Sequence, residues 1–290
     1  MHPSQIALDP ELLKRLYEDE RLTTEAIAAK LGCAPITIQR RLRQFQITSR
    51  PRGPLPLSRT LHGDLRWSPN VAWAVGVIAT DGNLSGDGRH LSVVSKDRDM
   101  LETLCTCLSL RAAIRPHAGG YGHLGLRVQW SDRRFYDWLV AIGLTPAKSL
   151  TLRPLDIPDA VFADFLRGCI DGDGSITTYL DRYNAYKKPT YLYTRLFVSI
   201  VSASRRFLEW LRATIQRLAG LSGHLSRERA RSGTEIWTLK FAKRESLAVL
   251  RWIYRERDAP CLRRKREIAV QFLVKREAPR RRGPGRPMVV

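Results

Sequence analysis

The sequence predicts an α+β fold in which a small all-α helix–turn–helix module precedes two copies of one mixed unit. Three observations predict it. The first fifty residues show helical periodicity interrupted by Gly32 at the joint of a helix pair. The remainder repeats itself, each copy opening with an apolar, glycine-bearing helix that ends in Asp-Gly. Downstream of each such helix, apolar and polar residues alternate as they do in half-buried strands.

The elements follow in order. Asp9-Pro10 supplies an N-cap and a proline at the first helical position, and Leu12, Leu13, Leu16 and Tyr17 recur at helical spacing. A second helix starts behind Thr23 and stops at Gly32; a third starts at Pro35 and runs through Arg43. Ala28 is small where these helices cross, and Ile38 and Leu42 face inward. That leaves Thr37, Gln39, Arg40, Arg41 and Arg43 mostly outside, on a basic third helix suited to a DNA groove. The segment resembles the DNA-binding module of resolvases and invertases, with Arg41 at a place that is often apolar in that family. The module is expected over residues 1–48, followed by an Arg/Pro/Gly linker over 49–64. Arg50 and Arg52 in this linker suit a narrow minor groove.

In the repeat, Ala74–Gly82 matches Leu166–Gly174, with Gly76 and Gly168 at corresponding places. Leu91–Ser95 then matches Val198–Ser202, and Leu126–Trp130 matches Trp237–Phe241. Each copy reads helix, two strands, helix, two strands, helix, over 65–150 and 151–276. The offset between copies grows from 92 to 107 after the Asp-Gly motif, so the second copy has a longer first hairpin. That hairpin contains Arg182, Lys187 and Lys188, and the polar strand faces would carry Arg127, Gln129, Arg195 and Lys240 toward DNA. A basic Pro/Gly/Arg tail is expected over 277–290.

Charge narrows the partner. The chain of 290 residues carries a formal net charge of +21, of which +3 falls on residues 1–58, +9 on 59–250 and +9 on 251–290. So large an excess points to a polyanion, nucleic acid first. Hydrophobic residues make up 43%, enough for a buried core, and no apolar run approaches a membrane span. The N-terminus lacks a signal-peptide pattern, so a soluble protein of the cytoplasm, associated with the nucleoid, is expected. Five cysteines without CxxC spacing argue against a disulfide framework and a zinc site. The six scattered histidines offer no Ser-His-Asp or Cys-His arrangement.

The Asp-Gly motifs carry the chemistry. Gly76 and Gly168 let the two helices pack backbone to backbone, which brings Asp81 and Asp173 together at their C-terminal ends. Each helix end already bears partial negative charge, and paired carboxylates repel. A divalent cation relieves both, and beside a DNA backbone it polarises a phosphate and activates water. One Asp-Gly is ordinarily only a turn; two, each closing the same kind of helix in a repeat, indicate a site.

These motifs, with Gly143–Ser149 and Phe165–Gly168, resemble the LAGLIDADG homing endonucleases of the single-chain, two-motif kind, over roughly residues 65–275. The resemblance implies two pseudo-symmetric αββαββα halves whose sheets form a saddle on double-stranded DNA. It implies Mg²⁺-dependent cleavage of both strands with 3′ overhangs, by a monomer without an obligate protein partner. The metal-binding acids fall on Asp81 and Asp173, with the carbonyls of Thr80 and Gly172 as further ligands. A basic residue near the last strand of each half fits Lys243 in the second, with Lys240 as the fallback, while Asp132 and Gln129 stand opposite them in the first, implying unequal cutting of the two strands. Lys148 is expected to contact phosphate, and Asp171, opposite Ala79, to be a supporting acid. Two further readings stand beside the endonuclease: a non-cutting DNA-binding regulator on the same scaffold, and an RNA maturase. An intein is not expected, because the chain lacks a Cys or Ser start and a His-Asn end.

Overall fold

The computed structural model describes residues 8–20, 22–48, 65–119, 124–148, 150–183, 186, 190, 192–229, 233 and 235–274. Internal contacts divide the chain into two units, Met1–Gly53 and Pro54–Val290.

The first unit is helical. Helix α1 (Pro10–Lys14) is capped by Asp9, whose carboxylate accepts from the Glu11 amide at 3.1 Å, and continues as a wider π-helical turn over Arg15–Asp19. Helix α2 (Thr24–Leu31) is capped by the Thr23 hydroxyl. It ends at Gly32, whose φ of +64° is the left-handed conformation that glycine tolerates without strain. Helix α3 (Pro35–Gln44) follows, with Ile38 and Leu42 packed onto Leu13, Leu16, Ile27 and Ala28. The expected inward set is therefore the observed one. The π-helical turn left no mark in the apolar spacing.

The second unit is built on a central helix pair. Helix α4 (Pro69–Asp81) starts at Pro69 behind the Ser68 cap, and every residue from Val71 to Ala79 is buried. Strands β1 (Gly82–Leu84) and β2 (His90–Ser95), helix α5 (Arg98–Cys107), strands β3 (Arg115–Ala118) and β4 (Leu124–Ser131), and helix α6 (Arg133–Ala141) follow. Helix α7 (Phe162–Asp171) opens the second half and is buried throughout. Strands β5 (Gly174–Asp181) and β6 (Tyr193–Ser202), helix α8 (Arg205–Ala219), strands β7 (His224–Arg229) and β8 (Glu235–Phe241), and helix α9 (Lys243–Ile253) repeat the order. Helix α10 (Arg263–Val274) is additional.

Each half holds one four-stranded antiparallel sheet, in the order β1-β2-β4-β3 and β5-β6-β8-β7. The registers reproduce the repeat. Gly82 pairs with Val93 and Val93 with Val128; Gly174 pairs with Ile200 and Ile200 with Leu239. The longer hairpin of the second half is present, β5 having eight residues against three in β1. One core runs through both halves, from Leu91, Val93 and Val128 across α4 and α7 to Val198, Ile200 and Leu239.

Helix α10 falls within the bounds expected for the second half, 151–276, but is one helix more than the repeat predicts. The Arg263–Arg266 run opens it, and Lys265 within it is 4% exposed. Within this run Arg264 pairs with Asp97 and Lys265 is bonded to main-chain carbonyls at the end of α7.

Candidate active site and nucleic-acid interface

Helices α4 and α7 touch through their glycines. A Cβ added at Gly76 would lie 2.8 Å from the Cys169 amide nitrogen and 2.9 Å from the Gly168 Cα. One added at Gly168 would strike the Trp73 carbonyl oxygen and lie 3.0 Å from the Gly76 Cα. Main chain meets main chain here, so no larger residue fits without moving a helix. The contact continues to the helix ends. A Cβ at Gly172 would run into the Thr80 hydroxyl and lie 3.2 Å from the Asp81 carboxylate. Asp81 thus lies over Gly172, the residue preceding Asp173.

This proximity has an electrostatic signature. Burial, followed by the charge of Asp173, pushes the Asp81 carboxyl up to about 7. The surrounding protein also raises Asp173, whose side chain remains accessible from solvent. Two buried lysines oppose these shifts. The Lys148 ammonium donates to the Gly82 carbonyl. The Lys265 ammonium donates to the carbonyls of Ile170, Asp171 and Gly174 at 2.7, 2.8 and 2.7 Å, and to that of Gly172 at 3.2 Å. Gly82 and Gly174 are equivalent in the repeat, so the two lysines are equivalent too. Lys265 closes the C-terminus of α7, where free carbonyls concentrate negative charge. Burial lowers both ammonium groups, and the neighbouring aspartates counter that.

The lysine assignment made from sequence therefore changes. Lys243 is exposed at the start of α9. Strand β8 leaves the sheet at Phe241, which lies across β6 from Ile176. At about 4.8 Å per strand, that is roughly 10 Å from β5 before the chain turns into α9. Asp132 opposite it is a helix cap, accepting from the Phe135 amide at 2.9 Å. The cations whose charge acts on both carboxylates are Lys148 and Lys265, one per half. Lys148 is 6% exposed, which removes it from the outward phosphate contacts. Lys265 was missed because it lies 92 residues beyond Asp173 in a run that reads as surface charge, while its repeat partner follows the second strand pair by a different spacing. The one available signal was that both lysines begin the segment after the last helix of a half.

Of the expected carbonyl ligands, Gly172 already accepts from Lys265. The Thr80 hydroxyl donates to the Gly76 and Val77 carbonyls at 3.1 and 3.0 Å, leaving its own main-chain carbonyl as the candidate donor. No group of three or more His, Cys, Asp or Glu side chains gathers among the described residues, so any cation would rest on two carboxylates plus main-chain oxygen and water.

Asp171 does support the site. Its Oδ2 accepts from the Trp73 indole N–H at 2.8 Å and the Leu262 amide at 2.9 Å, tying α4, α7 and the segment before α10 together. Burial pushes its carboxyl up to about 6. Arg264 makes a two-pronged ion pair with Asp97 at 2.9 and 2.8 Å, fastening α10 to the first half. Behind α7, Arg167 is wholly buried, bonded to Asp164, Pro260 and Ile253.

The core-averted sheet faces carry the expected polar residues. Arg127 is half-buried and Gln129 exposed on the first; Arg195 and Lys240 are exposed on the second, and Arg182 is exposed beyond β5. In the first unit, Arg40 and Arg43 are exposed on α3, while Thr37, Gln39 and Arg41 are half-buried, Arg41 donating to Gln44 at 2.6 Å. Arg50, Arg52, Lys187 and Lys188 lie outside the described residues.

No protein-family model matches the chain, and no curated protein sequence does. Solved structures with similar architecture are found at low identity. Full-length DUF199/WhiA from Thermatoga maritima aligns with a TM-score of 0.44 and 15% identity over 72% of this chain. The chain spans only 63% of that protein. The I-LtrWI LAGLIDADG homing endonuclease bound to target DNA aligns at 0.46 and 13%, over 72% of this chain and 91% of its own. I-DmoI in complex with DNA and Mn aligns at 0.42 and 14%, over 65% and 97%.

Proposed function

We propose that this protein is a site-specific double-stranded DNA endonuclease that hydrolyses both strands with a divalent cation, most simply Mg²⁺. The observation that carries the reading is the placement of Asp81 and Asp173. They are close enough for the charge of Asp173 to raise the Asp81 carboxyl, at the ends of two glycine-packed helices, beside the first strand of each sheet. Nothing in folding alone requires two carboxylates in mutual repulsion at helix C-termini; a cation between them offsets the cost. Asp81 and Asp173 would hold the ion with main-chain oxygen, and when bound it would supply polarisation of a phosphate and activation of water. The residues of this chain do the rest. Lys148 and Lys265 oppose the upward shift that burial gives both carboxylates. The sheet faces place the duplex, and Asp171 holds α10 so that Lys265 stays at the end of α7.

The second reading is a non-cutting DNA-binding regulator. The buried lysines favour it specifically, because two ammonium groups can neutralise the carboxylate pair with no cation present. One experiment separates the two. The protein is incubated with Mg²⁺ and DNA spanning the uninterrupted form of its own locus, alongside Asp173→Asn. Double-strand cutting that the variant loses supports the nuclease; tight specific binding without cutting across metals and pH supports the regulator. For α1–α3 we propose a DNA-binding role through Arg40 and Arg43, with the flanking Arg50 and Arg52. Deleting residues 1–58 is expected to shorten the footprint, and an unchanged footprint refutes that role.

A further inference from the structure

The two sheets present different chemistry on their core-averted faces. On the first, Arg115 and Arg127 are direct cross-strand partners, and Gln129 follows Arg127 by one repeat of the strand. Like charges placed opposite each other destabilise a strand pair unless an anion or acceptor lies between them. Arg111, Arg115 and Arg127 make no ion pair among the described residues. With His90, Gln129 and Trp130 they bound an open cleft of about 460 Å³. This face is a set of donors with few acceptors.

The second face has the same fold and few free donors. Arg195 is bonded to Asp181 at 2.8 and 2.6 Å. The Lys240 ammonium lies 4.2 Å from the centre of the Phe197 ring, which stacks with Tyr179 at 6.2 Å. The Ser175 and Ser199 hydroxyls bond each other at 2.8 Å. What this face offers outward is aromatic surface and hydroxyl groups already partnered.

Resting on the DNA-binding reading above, we infer that the two half-sites are recognised by different means: the first sheet reads guanine through the guanidinium groups of Arg115 and Arg127, and the second reads thymine methyl groups and shape through Tyr179 and Phe197. A guanidinium fork matches the O6 and N7 acceptors of guanine, and the major groove exposes the thymine methyl to apolar side chains. The target is therefore chemically asymmetric, although the protein is built from a repeat.

Selection of full-length protein on a randomised duplex library in EDTA, followed by sequencing, tests this. Wild type is expected to enrich guanines on one side of the site. Arg127→Lys and Arg115→Lys keep the charge and lose the fork. They are expected to lose roughly tenfold preference at one or two guanine positions on that side, with low-salt affinity for the unselected library little changed. Phe197→Ala and Tyr179→Ala are expected to alter the opposite side alone. Thermal melts of each variant identify any that fail to fold, and the two variants per sheet serve as each other's replacement. Guanine preference that survives both lysine variants, or that vanishes in the aromatic ones, overturns the assignment. A wild type that enriches no sequence overturns the DNA-site reading, and the assignment with it.

Discussion

Gly168→Ala probes the contact on which the whole site depends. The added methyl group would strike the Trp73 carbonyl oxygen and lie 3.0 Å from the Gly76 Cα. Carbon contacts settle at about 3.5–4.0 Å, so α4 and α7 must part by roughly 1 Å. Overpacking of this kind costs about 1–3 kcal/mol, and with main chain on both sides the upper end applies. Alanine recovers about 1 kcal/mol as a better helix former. The net loss is therefore about 2 kcal/mol, which for a unit of this size lowers Tm by about 4–8 °C. Circular dichroism melts measure it, with Gly86→Ala as the comparison, since a Cβ there meets nothing within 4 Å. Gly76→Ala probes the same contact, so the double variant is expected to lose less than the two single losses combined. A Gly168→Ala protein that melts at or above wild type refutes the close-packing argument, and with it the reason Asp81 and Asp173 meet.

Further consequences are independent of that contact. Asp171→Ala leaves the Trp73 N–H and the Leu262 amide as buried donors without an acceptor. About 2–5 kcal/mol of stability should be lost by urea denaturation, and a loss under 1 kcal/mol contradicts the bridging role. Arg167→Leu strands the buried Asp164 carboxylate with only Arg255 to face it, at an expected cost of about 3–5 kcal/mol on the same assay. The Arg264 hydrogen bonds hold Asp97 below the usual carboxylate range, so the native state binds that proton less readily than the unfolded chain. The resulting stabilisation is complete above the ordinary carboxylate pKa of about 4 and is lost as pH falls. Melts of wild type and Arg264→Ala should therefore converge below about pH 4, and a gap independent of pH would exclude this linkage.

Much of this molecule was legible before any coordinates. The repeat offsets of 92, 107 and 111 correspond to strand registers, because a residue's partner in a sheet is a consequence of alternation and loop length. The caps at Asp9 and Thr23, the turn at Gly32 and the inward face of α3 are local, and local chemistry is written in consecutive residues. The glycine pair was readable because a missing side chain recurring in a repeat has few other uses. The lysines were not. Lys243 stood at a plausible distance along the chain and Lys265 at an implausible one; the fold reverses that order by carrying α10 back beneath α7. Charge shows the same limit. The net of +21 identified a polyanion partner, but ion pairing decides which cations remain available. Arg264 is engaged by Asp97 and Arg195 by Asp181, whereas Arg115 and Arg127 face each other. The sequence by itself determined the elements, their repetition and the meeting of two aspartates, since these follow from periodicity and side-chain size. Only the tertiary structure decided which basic groups serve those aspartates and which face outward, since pairing depends on distances across the fold rather than along the chain.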